Sequence, residues 1–207
     1  MRGGRLHRPV AAATALLVAG GLGLWIAAAR GGGPSITPAQ RTVGELLSGV
    51  DYVPGRAELD EVLGADAPAR LIAIAHGADP ALSGPGQRIR AYRALSLYPG
   101  DSTRDALGQT LASYGGIRAG VATLYLRAAM ASLVAVAGPD SIDPIIPLLQ
   151  HPSLDVRADA ARALGLSRSP LAIEVLHRQR LVEASPQVQL AISEALRTLQ
   201  ETIAGTN

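Results

Sequence analysis

Over residues 155–165 the apolar positions fall at helical spacing. Val156, Ala160, Ala163 and Leu164 stand at i, i+4, i+7 and i+8 and make one face, with Arg157, Asp159 and Arg162 off it. The pattern predicts a short amphipathic helix stopped by Gly165, because glycine takes positive φ freely just past the last apolar residue. A helix this short does not hold together alone in water, so the chain must supply neighbours of the same kind.

It repeats the pattern. Aligned on Val156-Arg157, the chain offers Ile89-Arg90, Leu126-Arg127 and Val188-Gln189, at successive spacings of 37, 30 and 32 residues, the range of helical-repeat arrays. Four positions after the arginine stands a small residue (Ala94, Ala131, Ala161, Ser193), and seven after it an aliphatic one (Leu97, Val134, Leu164, Leu196). A small column beside large ones predicts closely approaching helices.

An apolar-periodic segment precedes each of these helices: 67–76 with Leu71, Ile72 and Ala75; 102–114 with Leu107 and Leu111; 142–150 with Ile145 and Leu149; 170–181 with Ile173, Leu176 and Leu181. Asp143-Pro144 reads as a cap and first helical residue, and Pro147 predicts a short or bent helix. Further upstream, Thr37-Pro38 reads as a helix start before Val43, Leu46, Leu47 and Val50, and residues 57–63 as a short helix ending at Gly64.

The unit running from Ile145-Ile146-Pro147-Leu148-Leu149 through His151-Pro152-Ser153-Leu154-Asp155-Val156-Arg157 to Ala161-Arg162-Ala163-Leu164-Gly165 resembles a HEAT-like repeat, in the variety also seen in phycobilin lyase-type proteins. The resemblance covers about residues 66–203. It implies an all-α fold, an α-α superhelix or solenoid of about four helix pairs in a right-handed stack. It also implies a structural ladder between neighbouring repeats, here Asp155 and Arg157; Arg90 and Arg127 match the arginine alone, and Gln189 departs from it.

Residues 10–29 form an uncharged apolar run preceded by Arg2, Arg5 and Arg8. Its length suffices for one bilayer crossing, and the basic flank places residues 1–9 in the cytoplasm and the rest outside it. Two readings stay open: an uncleaved signal anchor, and a cleaved signal with a site at Ala27-Ala28-Ala29, which would leave a periplasmic or secreted protein. Ala15, Ala19 and Gly23 belong to a small-residue ridge that offers self-association. Residues 30–65 read as linker and capping segment, 66–203 as the repeat domain, and 204–207 as a tail.

Composition narrows the function. Cys is absent, which removes disulfides, thiolate nucleophiles and Cys-based zinc sites. All 19 basic residues are Arg, a composition that reflects coding bias. Arg2, Arg5, Arg8 and Arg30 flank the apolar run, and without them 15 Arg face 17 Asp and Glu. That balance, with no arginine cluster interleaved with aromatics, argues against nucleic acid. The histidines His7, His76, His151 and His177 show no metal-ligand spacing. No catalytic, cofactor or metal residue is therefore assigned. The expected function is a non-enzymatic, membrane-tethered scaffold for protein partners on the outer side of the membrane. The alternatives are a soluble binding protein after signal cleavage and a lyase-type accessory acting on a chromophore protein. Arg90, Arg93, Arg127 and Arg162 are the candidate interaction surface; Asp155 and Arg157 are the candidate ladder.

Overall fold

The computed structural model describes residues 42–48 and 53–205, all within one unit, Pro38–Asn207. The apolar run 10–29, its Ala15/Ala19/Gly23 ridge, the Thr37-Pro38 helix start and Val50 lie outside the described residues. Among the described residues every regular element is helical: α1 Val43–Leu46, α2 Arg56–Leu63, α3 Ala67–His76, α4 Pro85–Ala94, α5 Asp101–Tyr114, α6 Val121–Ala137, α7 Ile142–Ile145, α8 Leu154–Leu166, α9 Pro170–Val182 and α10 Pro186–Ala204. Short 3-10 turns link several of them.

The helices form two layers. The first helices α3, α5, α7 and α9 pack on the second helices α4, α6, α8 and α10, and the second helices stack in sequence order. One apolar core runs through all four pairs, from Leu71 and Ile74 in α3 to Ile192 and Leu199 in α10. α1 opens with a reciprocal cap: the Glu45 N–H donates to Thr42 Oγ1 and the Thr42 N–H to Glu45 Oε2. α2 is tied down by Tyr98, whose hydroxyl donates to Asp60 Oδ1 at 2.8 Å.

In the first half of the stack, Arg88 of α4 joins four helices. Its Nε donates to the Ala75 carbonyl at 2.8 Å, near the end of α3 where carbonyls lack helical partners. Its Nη2 donates to Tyr114 Oη of α5 at 3.0 Å, and its guanidinium lies 4.1 Å from the Tyr125 ring centre of α6. Tyr92, wholly buried, fills the space beside it.

Several sequence expectations are corrected. Gly165 is not a stop: it lies buried inside α8, which runs on to Leu166. A Cβ there would sit 2.7 Å from both Cα and Cβ of Ala195, so Gly165 marks the closest approach of α8 and α10. The chain turns instead at Ser167, whose hydroxyl donates to the Leu164 carbonyl, and at Arg168, which takes φ 60° before Pro170 starts α9.

The small column is not uniformly buried. Ala94 and Ala161 are buried, whereas Ala131 and Ser193 are exposed. Asp143 is not a cap, since α7 begins at Ile142 with Ser141 before it; Pro144 then falls in its first turn. The bend expected from Pro147 is a change from α to 3-10 over Ile146–Gln150. Leu181 is 84% exposed, because the buried stripe of α9 is Ala172, Val175, Leu176 and Gln179.

By length and composition Val121–Gln150 is apolar enough to cross a membrane. In this fold it is broken at Gly138, φ 52°, and at Pro139, and Leu126, Ala129, Met130 and Leu133 lie in the core.

Gly165→Ala is expected to destabilise by about 1–3 kcal/mol through overpacking. Gly108→Ala, also inside a helix but with nothing within 4 Å of the added methyl, is expected to stabilise by about 0.5–1 kcal/mol. Urea unfolding of the two variants against wild type checks this pair; a neutral Gly165→Ala would contradict the close approach.

Candidate interaction groove

The second helices present a groove between them. Its first part, about 560 Å³, is lined by Ile89, Arg90 and Arg93 of α4, Leu124, Arg127 and Ala131 of α6, and Asp159 of α8. A second part, about 220 Å³, shares Arg127, Ala131 and Asp159 and adds Val134, Arg162 and Leu166. A third continues past Val134 and Leu166 to Arg168. The four candidate arginines Arg90, Arg93, Arg127 and Arg162 therefore lie along one groove, although 72 residues separate the first from the last. The repeat brings them together by stacking the same helix face.

Their environments differ. Arg127 Nε donates to Asp159 Oδ2, and Arg162 Nη1 donates to Asp159 Oδ1 at 2.9 Å, so one carboxylate bridges two guanidinium groups. Arg162 also approaches Glu194 of α10 at 3.9 Å. Arg90 Nη1 donates to the Leu47 carbonyl at 3.1 Å. A Cβ on Gly86 would lie 3.3 Å from that same Nη1, so the glycine leaves room for the guanidinium. Arg93 is exposed and has no carboxylate partner among the described residues. Leu124 and Leu166 are 44% and 62% exposed and give the groove apolar walls.

The ladder candidates lie elsewhere. Asp155 is exposed and accepts a hydrogen bond from Gln187 Nε2 at 3.1 Å, which reaches it from the next repeat. Arg157 turns toward the loop ends of the helix pairs. Its Nε and Nη2 donate to the two oxygens of Glu183, both at 2.9 Å, and its Nη1 donates to the His151 carbonyl at 3.0 Å. Arg157 thus pairs with a glutamate at the end of α9, and Arg127 with Asp159; neither arginine pairs with an Asp155-type position.

Sequence reading missed Glu183 and Asp159. The signal for Glu183 was present in the 32-residue offset, which places His151 on Glu183, Ser153 on Ser185 and Arg157 on Gln189. The matching bonds exist: the Ser153 N–H donates to His151 Nδ1, and the Ser185 N–H donates to Glu183 Oε1. Gln189 Nε2 donates to the Glu183 carbonyl at 2.6 Å, as Arg157 does to His151. Gln189 therefore keeps the local bond of the arginine position. With Nδ1 accepting, His151 carries its proton on Nε2 and donates to the Ile117 carbonyl at 3.0 Å, so it is a buried structural residue. Among the described residues no group of three His, Asp or Glu is placed to hold a metal ion.

The paired Arg157 guanidinium holds the Glu183 carboxyl below the usual carboxylate range, with the Ser185 N–H and Gln179 helping and burial opposing. A lowered folded-state value means the unfolded chain binds more protons in acid. Glu183 thus contributes stability that is present above its unfolded value near 4.5 and is lost as pH falls through the lower folded value. Arg157→Ala, which strands a buried carboxylate, is expected to cost about 3 kcal/mol at neutral pH. Glu183→Gln is expected to cost about 1 kcal/mol and to flatten the loss of stability below about pH 4.5. Urea unfolding between neutral and acid pH checks both, and an unchanged acid limb in Glu183→Gln would contradict the pairing.

Residues 122–197, from the start of α6 into α10, match the family described as HEAT repeats. No curated protein and no solved structure matched the chain. The matched segment carries the stacked helices α6, α8 and α10, and HEAT repeats are what this part of the chain is similar to.

Proposed function

We propose that this protein is a non-enzymatic scaffold whose repeat domain binds protein partners through the second-helix groove, tethered by residues 10–29 on the outer side of a membrane. HEAT repeats commonly mediate protein–protein interaction. The observation that carries the reading is the alignment of Arg90, Arg93, Arg127 and Arg162 along one apolar-walled groove. Arginine beside exposed aliphatic surface is the chemistry of protein interfaces. The groove lining offers arginines, one doubly bridged aspartate and aliphatic side chains, which favours recognition over acid–base or nucleophilic chemistry. The tether rests on the sequence: an apolar run with a basic leading flank.

Two measurements on the full chain in its own cells test the reading. Fractionation with N-terminal sequencing is expected to recover a membrane-bound chain that retains residues 1–29; a soluble chain beginning after Ala29 would sink the tether and leave the secreted alternative. Crosslinking is expected to capture protein partners that the double variant Arg93→Glu, Arg162→Glu loses and Arg178→Glu, on exposed α9 surface, keeps. Retention of every partner by the double variant would sink the groove assignment.

A further inference from the structure

Resting on that reading, we propose that the groove takes an acidic segment of a partner protein in which carboxylates alternate with aliphatic side chains. Three observations converge. Among the described residues the three parts of the groove are lined by Arg90, Arg93, Arg127, Arg162 and Arg168 and by one carboxylate, Asp159, with Glu194 3.9 Å from Arg162 beside it. Outside the four arginines that flank the apolar run, acidic residues outnumber arginines, 17 to 15, so the positive charge is a local concentration. Carboxylates gather elsewhere: Asp101, Asp105 and Asp140 line another depression, with Arg104 among them. A groove of one sign concentrates field on a ligand of the other.

Asp159 shows what the groove holds. Its two oxygens each accept a charge-assisted bond from a different guanidinium. Arg90 and Arg93 extend the row without a carboxylate among the described residues; Arg90 donates to the Leu47 carbonyl and Arg93 is exposed. Between the charges stand Leu124, Ala131 and Leu166, whose surfaces accept aliphatic groups. Stacked helices lie about 8–10 Å apart, so crossing α4, α6 and α8 needs about 20 Å, the reach of about six extended residues.

The same features disfavour nucleic acid. Among the described residues no aromatic side chain lines the groove, so they offer no stacking surface of the kind single strands use.

The test uses the full-length chain in nonionic detergent and a fluorescent eight-residue peptide alternating glutamate and leucine. Anisotropy is expected to report binding that weakens at least tenfold in Arg93→Glu, stays unchanged in Arg178→Glu, and is absent for the glutamine–leucine peptide. Equal binding of the glutamine–leucine peptide, or wild-type affinity in Arg93→Glu, overturns the proposal. So does Arg93-dependent binding of oligothymidine or of a second copy with no binding of the acidic peptide. If the acidic peptide fails while crosslinked partners still depend on Arg93 and Arg162, this inference falls and the scaffold reading stands; if those partners are also retained, both fall.

Discussion

The stack depends on how closely the second helices approach one another, and α8 controls that distance. Ala158, Ala160, Ala161, Ala163 and Gly165 are all buried, so α8 meets neighbours around most of its circumference. At Gly165 no side chain at all fits between α8 and Ala195 of α10. Small residues let helices pack at short range, and every apolar contact across the interface then contributes dispersion and burial. Most of these helices are too short to be stable by themselves. Their stability is therefore a property of neighbouring pairs, as expected of a repeat array.

Polar groups then fix the ends that apolar packing leaves loose. Arg88 in the first half and Arg157 in the second both run from a second helix to the carbonyl end of a first helix, and both gain a further partner across the stack. A guanidinium suits this work because it satisfies several acceptors in one plane and keeps its charge throughout the physiological range. Glu183 is the most demanding member, being a buried carboxylate, and it is satisfied by Arg157, by the Ser185 N–H and by Gln179. Arg127 and Arg162, by contrast, share one aspartate at the groove wall and keep substantial exposure. The same residue type thus closes the fold at one end of the helices and opens a surface along their sides.

Much of this was legible in the sequence. The period, the two helices of each pair and the second-helix positions of Arg90, Arg127 and Arg157 follow from spacing alone, because a stacked repeat exposes its pattern locally. The partners of those arginines do not. Arg127 meets Asp159 of the next second helix and Arg157 meets Glu183 at the end of the next first helix, contacts between repeats that spacing within one repeat does not display. Gly165 misled for a related reason: a glycine after apolar residues reads as a stop, and only the facing Ala195 reveals a packing role. The Arg88 cluster was unreadable because its members come from four helices.

Partner recognition is proposed for the groove across α4, α6 and α8. Hydrogen exchange on the full chain with and without its crosslink-identified partner tests it most directly. Exchange is expected to slow in the segments that carry Arg93, Arg127 and Arg162, with α9 unchanged. Protection confined to α9, around the exposed Leu171, Leu181 and Val182, would contradict it.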